Sequence, residues 1–177
     1  KSTVFVPSNT KIIVPAASYD AYCNAPYWSG MKSQIVANPS ERVITIEAQD
    51  AQSALQEALG ESDLLSITGL TISGTINSYD FEFMRTKMTK LAHLDLSQAS
   101  VVYNEHRHYE TFNTYDNQFP AYAFYNCSNL ASISLPEGVD RISHSAFMGC
   151  SNLTSIIIPD NLQYIEPFAF NGCSNLS

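Results

Sequence analysis

AFYNCSNLASISLPEGVDRIS (residues 123–143) is followed by two more copies of the same pattern, AFMGCSNLTSIIIPDNLQYIE (residues 146–166) and AFNGCSNLS (residues 169–177). Equivalent side chains recur at one fixed interval from copy to copy. The columns that predict a buried structural ladder are Phe124, Phe147 and Phe170, together with Cys127, Cys150 and Cys173. A fixed period of this kind indicates a repeat architecture, in which each unit buries the flat face of its neighbour.

Each copy predicts one short strand that ends at a proline. Ile133 and Leu135 alternate along the chain, so their side chains lie on one face of a strand. Pro136 has no N–H to donate to a neighbouring strand, and the strand should therefore end there. A second corner is predicted where residue types that tolerate a left-handed backbone recur. These residues are Asn126, Gly149 and Gly172.

The strand pattern continues upstream at a regular and slightly longer interval. Its three occurrences are Val43-x-x-Ile46-x-Ala48, Ile67-x-x-Leu70-x-Ile72 and Leu91-x-x-Leu94-x-Leu96. The intervening segments EAQDAQSALQEALG (residues 47–60) and NSYDFEFMRTKMTK (residues 77–90) predict helices. Asp50 is a plausible N-cap and Gly60 a plausible end for the first helix. The cap candidates of the second helix are Asn77, Ser78 and Asp80.

The pattern AF-x-x-C-x-x-L-x-x-I-x-L/I-P resembles the BspA-type leucine-rich repeats of bacterial, especially Bacteroides-type, cell-surface proteins. ITGLTISGTINSYDFEFMRTKMTKLAHLDLS (residues 67–97) is similar to the region that precedes such repeats in those proteins. The resemblance extends from about Val43 to Ser177. It implies an exported, cell-surface or secreted protein that acts in adhesion or ligand binding and carries no catalytic residues.

We therefore expect an α/β repeat fold, a leucine-rich-repeat solenoid with a parallel β-sheet. Its first coils should have helical returning limbs, and its last coils tight strand-turn limbs. The predicted parts are a cap-like segment resembling the end of a repeat array (1–40), irregular helix-containing coils (41–100), an inserted aromatic loop (101–122) and BspA-type 23-residue repeats truncated at the C-terminus (123–177). Ser177 precedes the strand of its own coil, which predicts an open edge capable of self-association.

The insert VVYNEHRHYETFNTYDNQFPAY (residues 101–122) interrupts the period, because Leu91 and Leu130 stand much further apart than Leu130 and Leu153 do. Long loops on rigid scaffolds often carry recognition, and tyrosine is a favoured contact residue. The candidate ligand-binding residues are Tyr103, His106, His108, Tyr109 and Tyr115. The alternative interpretation is that the loop covers the side of the solenoid and fills its core with Phe112 or Phe119.

Other chemistry has little basis in the sequence. His106-x-His108 could bind zinc, or serve a metal-dependent hydrolase, although such a pair is more often plain polar surface. No G-x-S-x-G, H-E-x-x-H or glycine-rich phosphate loop occurs, so we expect no enzyme and no cofactor. The three periodic cysteines favour buried thiols over disulfides, because three equivalent thiols cannot all pair.

Charge and hydropathy narrow the class of partner. The net charge is −8, with nine basic residues against seventeen acidic ones. This balance would repel a phosphate backbone, so nucleic acid is not an expected ligand. No apolar run is long enough to span a membrane, and no signal segment is present in this chain. The expected partner is a protein or a glycan outside the cell; the alternative is a structural spacer or display domain within a longer surface protein.

Overall fold

The computed structural model describes residues 12–14, 19–26, 32–33, 35–37, 40–49, 51–60 and 64–177. The first strands and helices are β1 (Ile12–Val14), α1 (Tyr19–Asn24), β2 (Ile35–Ala37), β3 (Glu41–Ile46), α2 (Ala54–Leu59), β4 (Gly69–Ile76) and α3 (Ser78–Lys87). They are followed by β5 (His93–Val101), β6 (Asn104–Tyr109), β7 (Phe112–Thr114), β8 (Gln118–Phe119), β9 (Ser132–Ser134), β10 (Arg141–Ile142), β11 (Ser155–Ile157) and β12 (Tyr164–Ile165). A 3₁₀ turn at Leu64–Ser66 precedes β4. No helix in these ranges has the length and apolar character needed to span a membrane.

A five-stranded parallel sheet runs through the repeats in the order β11-β9-β5-β4-β3. Leu70 pairs with Leu94, Leu94 with Ile133, and Ile133 with Ile156. In these four strands each one lies beside its predicted equivalent, including β5 and β9, which the insert separates along the chain. The coarse prediction of an α/β repeat with a parallel sheet is confirmed.

The predicted register of the first strand is wrong. The sequence pattern aligns Ile46 with Leu70, whereas the sheet pairs Arg42 with Leu70 and Ile44 with Ile72. Val43 is 52% exposed, whereas Ile46 on the opposite face of the strand is buried. Alternation along a strand places Val43 outside once Ile44 and Ile46 face the core.

A smaller parallel sheet, in the order β12-β10-β8, accompanies the last coils. Its rungs join Gln118, Arg141 and Tyr164 in one row. The Arg141 guanidinium lies 4.8 Å from the centre of the Tyr164 ring and 2.9 Å from Glu166 Oε1, so each coil also contacts its neighbour through side chains.

The cap-like segment predicted over residues 1–40 lies largely outside the described residues. Its described elements are β1, α1 and β2, and β1 pairs with β2 in parallel.

The repeated side chains form two columns. The rings of Phe124 and Phe147 are 6.0 Å apart and those of Phe147 and Phe170 are 5.4 Å apart, both nearly parallel. Cys150 Sγ donates to Phe124 O, and Cys173 Sγ donates to Phe147 O, each at 3.1 Å. All four cysteines in the described residues are free thiols. Burial raises the pKa of the Cys127 thiol to about 11 and also raises that of Cys150.

The left-handed corner predicted in each repeat is confirmed. The backbone angle φ is 58° at Asn126, 80° at Gly149 and 81° at Gly172. A second left-handed column recurs at the same interval without any glycine. Its residues are Tyr122, Ser145 and Phe168.

Helix capping differs from the prediction at one end. Asp50 lies outside the described residues, and α2 is capped by Ser53, whose Oγ accepts the Gln56 N–H at 3.0 Å. Gly60 ends this helix as predicted. Asn77 begins α3 with a capping box, since its side chain accepts from the first turn while the Asp80 carboxylate accepts the Asn77 N–H.

Asp80 joins the two helices. The residue is fully buried, and its Oδ1 accepts from Ser53 Oγ at 2.8 Å and from Leu55 N at 3.0 Å. Burial raises the pKa of this carboxyl, and the same hydrogen bonds oppose that shift. One carboxylate therefore accepts from a backbone N–H at the start of α2 and from another at the start of α3.

The first prediction concerns this carboxylate. Asp80→Ala leaves buried donors of Ser53, Leu55 and Asn77 without an acceptor, so the free energy of unfolding should fall by about 2–4 kcal/mol. Asp160→Ala, at an exposed carboxylate, should change it by less than about 0.5 kcal/mol. Urea denaturation followed by circular dichroism measures both, and equal losses would contradict the role of Asp80.

The second prediction concerns Gly74 in β4. Its φ is 93°, and a Cβ there would lie 2.0 Å from Ile46 O on the neighbouring strand. Gly74→Ala should lower the free energy of unfolding by more than about 2 kcal/mol, because backbone strain and a backbone clash add. Gly60 also has positive φ but open space around it. Gly60→Ala should therefore cost only about 1 kcal/mol in the same denaturation experiment.

Candidate functional site

Within the predicted insert, residues 104–114 form an antiparallel hairpin, β6–β7, whereas Val101 ends β5 and Gln118–Phe119 form β8. Asn104 pairs with Thr114 at its base, and Tyr109 pairs with Phe112 beside its turn. Phe119, just beyond the hairpin, is fully buried and lies 5.5 Å from Phe81 and 5.0 Å from Phe147 between ring centres. Part of the insert thus fills the core, as the alternative interpretation expected.

Buried hydroxyl groups attach the base of the hairpin to α3. Ser78 Oγ lies 3.0 Å from Thr114 Oγ1 and accepts the Thr114 N–H at 2.9 Å. Ser78, Thr114 and Asn104 are all buried. Because these donors and acceptors satisfy one another away from water, the start of β6 and the end of β7 have a defined position on the helix.

His106 faces α3. Its ring stacks on Tyr79, with 3.8 Å between ring centres and 7° between planes. Its Nε2 lies 2.5 Å from Glu82 Oε2. The imidazole is therefore held on one face by an aromatic ring and at its edge by a carboxylate.

His108 is 2% exposed, and its Nδ1 lies 3.1 Å from Arg85 Nη1. Arg85 also donates to His108 O and, at 3.2 Å, to Tyr122 O. A guanidinium group can only donate, so Nδ1 accepts and the neutral ring carries its proton on Nε2. That Nε2 finds no hydrogen-bond partner among the described residues. Burial lowers the pKa of His108 to about 3, and the charge of Arg85 contributes to the shift.

Glu82 and Arg85 each contact one ring nitrogen of the His106-x-His108 pair. The guanidinium charge of Arg85 would repel a cation at His108 Nδ1. Within the described ranges, no group of three or more His, Cys, Asp or Glu side chains is placed to hold a metal ion.

Tyr103 and Tyr115 flank the base of the hairpin and are both exposed. They are 56% and 53% exposed, with 5.9 Å between their ring centres. The Asp116 carboxylate accepts the Tyr103 N–H at 2.6 Å, which fixes the backbone beneath the pair. The structure therefore brings two of the five candidate residues together on an open surface.

Tyr109 lies at the other end of the hairpin. It stacks on Tyr122 at 4.6 Å, and the Arg85 guanidinium lies 5.1 Å from its ring centre. We call Tyr109, Phe112, Tyr122 and Tyr125 the aromatic cluster, since each ring contacts at least one other of the four at 4.6–5.6 Å. Its members are half-buried. The five candidate residues therefore fall into three groups. Tyr103 and Tyr115 form an exposed pair, His106 and His108 of β6 pack against α3, and Tyr109 belongs to the aromatic cluster.

Several residues that contact the candidate residues could not be identified from the sequence. Tyr79, Glu82 and Arg85 are predicted only as part of a helix, because no local pattern shows that the hairpin folds over it. Tyr125 occupies a variable position of the repeat, where the next copies have Met148 and Asn171. That aromatic substitution is the one signal in the sequence that could have identified the cluster.

The outward face of the large sheet is a second accessible surface. Thr71, Asp95 and Ser134 form one polar row across it, and His93 Nδ1 lies 2.8 Å from Ser132 Oγ in the next row. A cleft of about 180 Å³ lies over these rows. It is smaller than typical small-molecule pockets of roughly 300–1,000 Å³, so this face is better suited to an extended macromolecular contact.

Comparison with known proteins bears on the repeats. Residues 117–177 match the family model described as "BspA type Leucine rich repeat region (6 copies)". A search of curated proteins gives no match. Leucine-rich repeats of this kind are generally non-enzymatic scaffolds for protein interaction, and BspA-type proteins are commonly surface-associated. Residues 117–177 are therefore BspA-type leucine-rich repeats, and over these residues the match confirms the resemblance drawn from the sequence.

Proposed function

We propose that this chain is a non-catalytic binding module of an exported, cell-surface or secreted adhesion protein, and that it recognises a protein or glycan ligand through its insert. The observation that carries the proposal is the exposed pair of Tyr103 and Tyr115 on a hairpin attached by buried polar contacts. We also propose that the chain is divided, as its sequence predicts, into a cap-like segment, helix-containing coils, an insert and regular repeats.

The attachment of the hairpin supports a role in recognition. A contact surface that is ordered before binding avoids the cost of ordering it on binding. Tyrosine offers a large area with few rotatable bonds and a hydroxyl group that can form hydrogen bonds, which suits it to protein and glycan surfaces. Two tyrosines that touch each other while remaining more than half exposed have the properties of an interface anchor.

The other candidate residues take different roles in this proposal. His106 and His108 position the hairpin on α3 and do not contact the ligand, because their ring nitrogens face Glu82 and Arg85. Tyr109 contributes the half-buried aromatic cluster at the edge of the contact surface.

The third prediction tests the exposed pair. The double variant Tyr103→Ser/Tyr115→Ser should weaken binding at least tenfold, since each anchor ring contributes on the order of 1 kcal/mol or more. Binding is measured by surface plasmon resonance against extracellular matrix proteins and on a glycan panel. Tyr164→Ser removes an equally exposed tyrosine outside the insert and should bind as the unmodified chain does. A double variant with full affinity would exclude these residues as the contact.

A second candidate function is a structural spacer or display domain. The observation that favours it is the apolar surface of the last coil, where Ile157, Ile165 and Phe168 are each more than half exposed. The backbone edge of β12 lies at the same end of its sheet. Such a surface is suited to stacking against another structural unit, including a second copy of this chain. Failure of the unmodified chain to bind any member of both panels would favour this function.

The fourth prediction tests that surface. Ile165→Glu/Phe168→Glu places two charges on the exposed end, so self-association measured by analytical ultracentrifugation should be lost. The Tyr103→Ser/Tyr115→Ser variant leaves this end unchanged and should associate as the unmodified chain does. A chain that stays monomeric at all concentrations, with or without the two glutamates, would remove the self-association proposal.

A further inference from the structure

The insert hairpin is positioned by contacts with α3 and with Tyr122 and Tyr125 of the aromatic cluster. Within the part of the chain that the structure describes, β6 and β7 pair only with each other, in a sheet separate from the three parallel sheets. An isolated two-stranded hairpin is marginally stable in water. Its contacts with α3 and with the aromatic cluster therefore decide whether residues 104–114 stay in place.

Among those contacts, His108 is the one that acid should disrupt. Its ring is buried, and Arg85 Nη1 donates to its Nδ1 at 3.1 Å. A proton added to Nδ1 would remove this acceptor and place two cations in contact away from water. In the docked hairpin the ring is therefore restricted to its neutral form, whereas in a released hairpin it is free to bind a proton.

We propose that the hairpin is an acid-sensitive latch, in which protonation of His108 releases residues 104–114 from α3 while the stacked repeats remain folded. The device is local because the phenylalanine column and the thiol hydrogen bonds, which join the last repeats, contain no group that titrates between pH 5 and 7. If the proposed ligand contact is correct, acid would also disorder Tyr103 and Tyr115, but the latch does not depend on that contact.

The direction follows from linkage. The pKa of His108 is about 3 in the docked hairpin and about 6.5 for an unperturbed histidine. The released hairpin therefore binds more protons. Above about pH 6.5 the docking equilibrium does not change with pH. Below this pH the ratio of released to docked hairpin rises close to tenfold per pH unit, until the pH reaches the pKa of His108 in the docked hairpin.

The titratable, charged and polar groups around His108 come from three parts of the chain. Arg85 and Glu82 belong to α3, and His106 precedes His108 on β6. The segment that follows β8 contributes the Tyr122 carbonyl, which Arg85 also contacts, and Cys127, whose thiol stays protonated in this range.

The fifth prediction is measured by hydrogen–deuterium exchange at pH 7, 6 and 5, corrected for intrinsic exchange rates. Protection of β6 amides should fall between pH 6 and pH 5, by up to about tenfold, while protection of β4 and β5 stays constant. His106→Gln removes the neighbouring imidazole and keeps a hydrogen-bonding group near Glu82, so it should still show the fall if His108 is the group that responds. His108→Asn keeps an acceptor near the Nδ1 position but does not titrate, so its β6 protection should not change over this range.

Three results would overturn the latch. One is constant β6 protection from pH 7 to pH 5 in both the unmodified chain and His106→Gln. Another is a parallel loss in β4 and β5, which would mean that the whole chain unfolds. The third comes from ¹⁵N shifts of the imidazole, which also decide the matter if His108→Asn fails to dock. The latch requires His108 to be neutral and protonated on Nε2 while docked at pH 5; a charged ring in a docked hairpin excludes it.

Discussion

Contact between successive coils is the interaction on which the rest of the molecule depends. A single coil has too few apolar side chains to offset the entropy of ordering its backbone, so each coil is stable only against its neighbours. In the last coils this contact is supplied by nearly parallel phenylalanine rings and by thiols that donate to carbonyl groups of the preceding coil. The two helices of the first coils meet through the buried Asp80 carboxylate.

The β6–β7 hairpin of the insert uses this framework without joining its parallel hydrogen-bond ladders. It follows β5, folds back over α3 and returns to the repeats at Phe119, which is buried beside Phe147. Its attachment is therefore made of side-chain contacts, whereas the stack is made of backbone rungs as well. This difference separates a rigid scaffold from a surface whose order can respond to conditions.

The regular repeats could be predicted in detail because identical side chains at a fixed interval must occupy equivalent positions. The first strand could not, because Val43 and Ile44 are both apolar and only the pairing of Ile44 with Ile72 shows which one faces inward. The candidate site was predicted as a segment, and its two exposed tyrosines do lie together. The roles of His106 and His108 depend on Glu82 and Arg85, and that contact is set by tertiary packing rather than by any local pattern.

The column of cysteine thiols, formed by Cys127, Cys150 and Cys173, affects how the protein responds to oxidants. Oxidation begins from the thiolate, and a buried thiol whose pKa is raised has almost none at neutral pH. Peroxide and small-molecule oxidants should therefore attack Cys150 slowly while the coils stay stacked. The buried Cys150 sulfur therefore serves as a hydrogen-bond donor that reacts slowly with oxidants, and we expect its contact with the preceding coil to persist in an oxidising medium as well as in a reducing one.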